Sequence, residues 1–447
     1  MFDTRDRQIL RIALPSIVSN VTVPLLGLVD VAITGHLGAA AYIGAIAVGS
    51  SIFNSVYWLF AFLRMGTSGM TSQAYGRRDF HECMCMLTRS LLVASYISLF
   101  VLVFQLFIRE AAFGLISPSD EVRSLSEIYF DICVWGAPAT LLLNAFTGWF
   151  LGMQNSRTPM LVAVFQNIIN IAVSILLVFV FGMKVEGVAI GTLVAQYTGL
   201  AVAIFVWFRY YGRLRRRVSY TFTEVILQRP AEVWAGSAIS SFFNVNRDIF
   251  LRTLCLVAVH FYFIKAGASQ GDTALAVNTL LMQFFTLFSY VMDGFSFAGE
   301  ALVGKSIGAV NLEGYLSFVR RLFLWGAVVC ALFTLLYVLC GGWFVALLTD
   351  NSLVVDLSAD YIIWAYFLPV CGVAAFVWDG VFIGATATRY MLLSMFFAVV
   401  IFFILEALLV PIVGNHGLWV AFLCYLFARG LFQTLFGSKV RMNVFGR

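Results

Sequence analysis

"LGLVDVAITGHLG", residues 26–38, sets a carboxylate, Asp30, in an apolar run whose nearest basic residues are Arg11 on one side and Arg64 on the other. The run belongs to an apolar segment over 9–35, and crossing the roughly 30 Å hydrocarbon core of a bilayer takes about 20 helical residues. Eleven further segments of that kind follow, at 41–63, 87–108, 126–152, 160–182, 186–208, 231–262, 273–302, 318–340, 358–384, 390–412 and 416–436. Of the 447 residues 61% are hydrophobic and 11% charged, and mean hydropathy is +0.93. That leaves too little polar surface to cover a water-soluble globule. Backbone groups facing lipid must pair within their own segment, and no ten-residue alternation suggests a barrel, so the segments are helices. The expected fold class is all-α integral membrane, with twelve transmembrane helices.

An even number of spans returns both termini to one side. That side collects most of the Lys and Arg, among them Arg5, Arg77, Arg78, Arg157, Lys305, Arg389 and Lys439, against Arg109, Arg123, Lys184 and Lys265 opposite. The bias places the termini in the cytoplasm. Topology therefore accounts for the net charge of +5, and no nucleic acid partner is implied. "RLRRR" at 213–217 reads as an anchor facing anionic lipid rather than a phosphate site. The first apolar run is too long for a removable signal and remains as helix 1. Eight cysteines are scattered, mostly inside spans, where they act as small apolar residues. Cys83 and Cys85, with His81 and Glu82, fall in a predicted cytoplasmic loop; a metal clip would need a second pair, and no metal is expected.

Shifting the second half back by 232 residues lays "LSADYI" (357–362) on "LSEIYF" (125–130) and "FIGATATR" (382–389) on "FLGMQNSR" (150–157). Within three residues of the same shift, "TALAVN" (273–278) meets "GAIAVG" (44–49), "VGKSIGAVN" (303–311) meets "TSQAYGRRD" (71–79), and Gly417 meets Gly187. The chain is a tandem duplication: an N-lobe over 1–208, a basic cytoplasmic linker over 209–230 and a C-lobe over 231–447. Six-helix copies are parallel repeats, an arrangement suited to a transporter with its site at the repeat interface near mid-membrane. No HExxH, Walker glycine loop or GxSxG appears, and the four His (36, 81, 260, 416) lie near helix ends or in loops. Neither enzyme activity nor ATP drive nor a cofactor is expected. A scaffold has no need of a duplicated bundle with buried carboxylates.

Pro15 with "GLVDVAITGHLG" in helix 1, "QAYG" after helix 2, "NRDI" in helix 7 and "DGVFIGATATR" in helix 10 resemble the multidrug and toxic compound extrusion (MATE) family, in its DinF-like branch. The resemblance covers essentially the whole chain. It implies two six-helix lobes around a central cavity, and efflux of amphipathic, often cationic, compounds by antiport with H⁺ or Na⁺ through rocker-switch alternating access. It also implies a bend of helix 1 at Pro15, with Pro24 a second possible bend. A lipid or oligosaccharide flippase is the rival within transport, but it is expected to show a strongly cationic cavity. A monomer is expected.

A carboxylate in a bilayer core costs roughly 2.5–3.5 kcal/mol on insertion scales. Asp30 faces Val23, Leu26 and Ile33 on the helix repeat, and none of these can pair with it. Burial favours the neutral acid and a nearby cation favours the carboxylate, so one acid can hold a proton until a cationic cargo displaces it. The family resemblance gives Asp30 this coupling role. Asn167, Asn170 and Ser174 form a stripe on helix 5 able to bond it. Relatives often carry an Asp where Ser174 stands; its absence favours H⁺ over Na⁺. In the second lobe, helix 7 carries Asn244, Asn246, Arg247, Asp248 and Arg252. Neighbours on a helix point about 100° apart, so Arg247 and Asp248 are each expected to pair on another helix, with Asp293 and Glu300 of helix 8 or Asp379 of helix 10. By resemblance Asp379 is an acid implicated in Na⁺ or H⁺ binding. A closed salt-bridge network that only holds the lobe together is the competing reading. Phe242, Phe243, Tyr57, Trp58 and Trp378 serve equally as lipid belt or as a wall for planar cations.

Overall fold

The computed structural model describes residues 3–35, 40–116, 118–217, 236–349 and 351–446. Among the described residues twelve long helices follow one another: α1 (Thr4–Gly35), α2 (Ala41–Gly76), α3 (Phe80–Val103), α4 (Asp120–Gly152), α5 (Arg157–Val180), α6 (Val185–Arg217), α7 (Gly236–Ala268), α8 (Asp272–Gly308), α9 (Leu312–Leu348), α10 (Ser352–Gly384), α11 (Thr388–Val413) and α12 (Asn415–Phe445). A short helix, Gln105–Ile116, joins α3 to α4. Eleven of the twelve, α2 to α12, have the length and apolar composition to cross a membrane, and α1 is a continuous 32-residue helix through Pro15 and Pro24. The predicted linker divides: residues 209–217 prolong α6, and 218–235 lie outside the described residues. His36, Leu37 and Gly38 of the opening stretch lie outside them too.

The chain divides into two compact units, Val18–Phe242 and Met1–Ile17 with Phe243–Arg447, here the N- and C-terminal units. The first cut falls on α1 three residues beyond Pro15.

The duplication is built into the backbone. Three pairs of positive-φ residues lie 232 apart: Arg78 (60°) and Val310 (53°), Gln154 (66°) and Thr386 (51°), Gly182 (68°) and Gly414 (58°). The helices following the first pair start alike. Asp79 accepts the Glu82 N–H at 3.0 Å ahead of α3, and Asn311 accepts the Gly314 N–H at 2.8 Å ahead of α9, satisfying an N–H that a helix start leaves orphaned. Packing repeats as well. In the N-terminal unit a Cβ on Gly148 of α4 would come within 2.3 Å of the Arg64 carbonyl of α2, and in the C-terminal unit one on Gly380 of α10 within 2.2 Å of the Ser296 carbonyl of α8. Both crossings need glycine for backbones to meet.

The capping Asp79 corrects one expectation. Residues 80–86 are helix rather than loop, because the cap starts α3 ahead of its apolar run. Cys83 and Cys85 are buried in that first stretch, with Cys83 Sγ directed to the Thr71 carbonyl at 3.8 Å. Glu82 pairs with Arg89 at 2.7 Å, and no group of metal-ligating side chains occurs among the described residues. In the C-terminal unit the start of α1 is tied to α9. Asp6 accepts from the Asp3 N–H at 2.9 Å, from Arg321 and from the Trp325 indole at 3.2 Å. These bonds, the Asp3 N–H first, hold its carboxyl below the usual carboxylate range.

Candidate functional site

Among the described residues the N-terminal unit buries Asp30 and the C-terminal unit Asp379, and the surroundings of these two acids are chemically unlike. In the N-terminal unit Asp30 is 8% exposed, and its Oδ1 has no hydrogen-bond partner among the described residues. Its surroundings are neutral. Its charge acts on Tyr129 and Cys133 of α4, and Tyr129 in turn interacts with Thr192 of α6. Asn170 of α5 donates to Thr192 Oγ1 at 3.0 Å, while its own Oδ1 and the Ser174 hydroxyl, both buried, are without a partner among the described residues. A close crossing holds Ser174 in place, because a Cβ on Gly191 of α6 would fall 2.1 Å from its Oγ. After Ile175, one residue beyond Ser174, α5 passes into a π-helical turn, Leu176–Val180, a form that recurs beside functional sites.

The helix 5 stripe therefore reaches the right neighbourhood, but none of its three members bonds to Asp30. Asn167 donates instead to the Thr22 carbonyl of α1 at 3.1 Å, and Asn170 to Thr192. Tyr129 and Thr192 complete the cluster. Sequence reasoning passes over both, since a lone Tyr or Thr in an apolar helix gives no charge signal.

In the C-terminal unit Asp379 of α10 is saturated. Its Oδ2 accepts from Arg252 of α7 and Arg429 of α12, and its Oδ1 from the Gln433 amide at 2.7 Å. Arg429 also lies over the Phe376 ring, 5.7 Å from its centroid. Asp293 of α8, half-buried, is within electrostatic reach of both arginines. Glu300 is fully buried one heptad further along α8. The α7 arginine expected to reach an acid on helix 8 or helix 10 was Arg247, whereas the partners of Asp379 are Arg252, Arg429 and Gln433; for Arg429, an Arg inside the 416–436 run was the available signal.

One pairing expectation is overturned. Arg247 bonds its own neighbour, with Nη2 to Asp248 Oδ1 at 3.0 Å and Nε at 3.3 Å. The 100° between adjacent Cβ directions limits short side chains; a guanidinium on three methylenes curls back, and here it does so with 63% of the side chain exposed. Asp248 does find a second helix, accepting from Thr388 of α11 at 3.2 Å, and Asn246 is buried on the same helix. Of the five aromatics, Phe242 and Trp378 are buried, the latter donating to Thr434 at 2.8 Å, while Phe243 and Trp58 are exposed and Tyr57 is half-buried.

Chemically, the first cluster is an acid among neutral hydroxyls, a thiol and amides, with one carboxylate oxygen unpartnered among the described residues. The second is an acid whose oxygens are already taken by two guanidinium groups and an amide.

The family model described as MatE matches residues 15–176 and again 249–408, two segments that start 234 and end 232 residues apart. The chain is 35% identical over 426 residues to the "DNA damage-inducible protein F" of Escherichia coli (strain K12), covering 95% of this chain and 90% of that protein. It is 25% identical over 329 residues to the "Probable multidrug resistance protein NorM" of Thermotoga maritima, 70% of this chain and 66% of the relative. Among solved structures, "Crystal structure of MATE in the bent conformation" superposes with a TM-score of 0.86 at 18% identity, over 99% of this chain and 96% of the other.

Proposed function

We propose that this chain, which belongs to the MatE family and is a multi-pass membrane transporter, exports small amphipathic organic cations in exchange for H⁺, with Asp30 as the coupling acid. One observation carries the choice of ion. Asp30 is buried among neutral groups with an unpartnered oxygen among the described residues, whereas both oxygens of Asp379 are occupied by Arg252, Arg429 and Gln433. A Na⁺ ion wants several oxygen ligands at once, and the Asp379 cluster offers it fixed positive charge instead. A proton needs a single acceptor, which Asp30 supplies. With no guanidinium or ammonium paired to it among the described residues, the carboxylate is stabilised only by what enters the site, either a proton or a cationic cargo. Competition between the two for one charge is antiport, and alternating access of two repeats delivers each to its own side. A chain cut within α1 just beyond Pro15 suits a hinge at that proline. We place the transporter as a monomer in a bacterial inner membrane with both termini cytoplasmic.

The test is efflux of ethidium from everted vesicles under an imposed ΔpH or ΔNa⁺. Transport is expected to follow ΔpH and to ignore ΔNa⁺, and Asp30→Asn is expected to express normally and lose ΔpH-driven export. Efflux indifferent to ΔpH, or normal export by Asp30→Asn, would end the assignment.

A further inference from the structure

On α4, Tyr129, Cys133, Gly136 and Thr140 follow one another at steps of four, three and four residues, which puts them on one face. The stripe begins beside Asp30, whose charge acts on Tyr129 and Cys133. It extends about 16 Å along α4 at the helical rise per residue. Two other helices of the same unit close over it. From α6, the Ala189 carbonyl accepts from Cys133 Sγ at 3.7 Å, and the Gln196 amide lies so near the α4 backbone that a Cβ on Gly136 would fall 1.7 Å from its Oε1. From α2, Tyr57 stacks on Phe53 with ring centroids 5.8 Å apart and turns its hydroxyl toward Thr140 and Cys133.

Not every polar atom of this seam is satisfied by the protein. Asp30 Oδ1 and Gln196 Oε1 are buried with no hydrogen-bond partner among the described residues, and between them the buried Tyr57 and Thr140 hydroxyls face one another. Buried oxygens are nearly always paired with protein or with ordered water. A row of under-satisfied oxygens leading away from a buried acid therefore reads as the lining of a water file. A core built only for packing would put apolar groups along that face.

We infer that Tyr57, Thr140 and Gln196 hold a file of water that conducts protons from Asp30 along α4 as far as Thr140, toward its Gly152 end. This rests on the H⁺ coupling proposed for Asp30. In each step a water or hydroxyl oxygen takes up one proton and gives up another. The hydroxyls end unchanged, and the net event is loss of one proton from the Asp30 carboxyl, left as carboxylate. Under the proposed topology the Gly152 end is cytoplasmic, so the file serves discharge into the cytoplasm, the half of the cycle in which cargo replaces the proton. The three residues position water and do not bind the exported compound.

The experiment uses the full chain in proteoliposomes with a trapped pH dye and ethidium as probe, paired with ethidium binding in detergent across pH. The double variant Tyr57→Phe/Thr140→Val is expected to keep the wild-type pH profile of binding while its proton flux falls at least tenfold. Tyr57→Phe alone keeps the ring and its stacking, guards against a folding failure and is expected to slow the flux in the same direction. Wild-type proton flux in both variants overturns the inference. So does a shifted binding profile, which would make these groups part of the Asp30 site itself. Asp30→Asn separates the two levels: if it still shows pH-dependent binding and export, the coupling assignment fails whatever the seam variants do.

Discussion

Replacing Asp379 by Asn is expected to harm the protein more than removing an arginine it holds. Arg252 and Arg429 share Asp379 Oδ2, and all three side chains are under a tenth exposed. Two guanidinium groups on one oxygen stand about 5 Å apart, where unit charges repel by about 3 kcal/mol at an effective dielectric near 20. Stripping the counter-charge from a buried pair costs about 3–5 kcal/mol, and Asp293, half-buried nearby, offsets part of that. Arg252→Gln, by contrast, leaves Asp379 with Arg429 and Gln433, a loss of about 1–3 kcal/mol for the orphaned bond. The double variant Asp379→Asn/Arg252→Gln removes the repelling pair and is expected to be more stable than Asp379→Asn by at least about 1 kcal/mol, the sign of a coupled network. Thermal unfolding in detergent, followed by a thiol-reactive dye, ranks the three. An Asp379→Asn protein as stable as Arg252→Gln, or a double variant weaker than Asp379→Asn, would refute the reasoning. ΔpH-driven export by the double variant would further show that the cluster holds the unit together and is not a coupling site.

Three other outcomes are expected. Gly191→Ala drives a methyl to within 2.1 Å of Ser174 Oγ; it should cost about 1–3 kcal/mol by overpacking and impair export, and Ser174→Ala in the same chain should relieve part of the loss in both assays. Val310→Gly should stabilise by up to about 1 kcal/mol, because a β-branched residue at φ 53°, 76% exposed, bears a cost of about 1–2 kcal/mol for its left-handed backbone and the chain entropy of glycine cancels about 0.5–1 kcal/mol of the gain; an unchanged or lowered melting temperature contradicts this. The depressed pKa of Asp6 means that its charge contributes stability above the unfolded value near 3.9, lost as pH falls through the lower folded value. Asp6→Asn is therefore expected to be less stable than wild type at pH 7, with the gap narrowing below about pH 4 and closing only once pH lies below the depressed folded value, as unfolding measured over that range would show.

Fold class and repeat were legible in the sequence because both rest on strong signals. Twenty apolar residues in a row have one solution in lipid, and the 232-residue offset marks real positions of backbone strain and close approach, such as Arg78 with Val310 and Gly148 with Gly380. Helix starts were less legible where a cap precedes the apolar run, as Asp79 does for α3. Within the sites, charge was the readable quantity: Asp30, Asp379 and Arg252 stand out against apolar neighbours. Tyr129, Thr192, Gln196 and Tyr57 do not, because their role depends on which helix faces them, and spacing within one helix says nothing of the partner. The Arg247 and Asp248 pairing failed for the opposite reason, that backbone direction was applied to a side chain long enough to ignore it.

Duplication left different marks on the frame and on the charges. Positions that set backbone approach recur at the common offset: glycines at crossings, left-handed residues at helix ends, capping Asp79 and Asn311. The buried acids Asp30 and Asp379 do not, although some basic positions do, as Arg89 with Arg321 and Arg157 with Arg389. The shift takes Asp30 to Tyr262, whose hydroxyl donates to Glu406 at 3.3 Å and whose ring meets Phe402 and Phe403 edge-on, and takes Asp379 back to Thr147. Packing constrains a membrane helix at every crossing, so the frame drifts slowly. A buried charge has no such neutral neighbours in sequence space: it costs energy wherever nothing answers it. Asp379 is answered by fixed cations, and its protonation would leave Arg252 and Arg429 uncompensated. Among the described residues Asp30 Oδ1 is answered by nothing fixed, and the proposed exchange of a proton for a cationic cargo depends on that. One frame thus carries two buried acids in unlike settings, Asp379 with fixed partners and Asp30, on which the proposed H⁺ coupling rests, without one among the described residues.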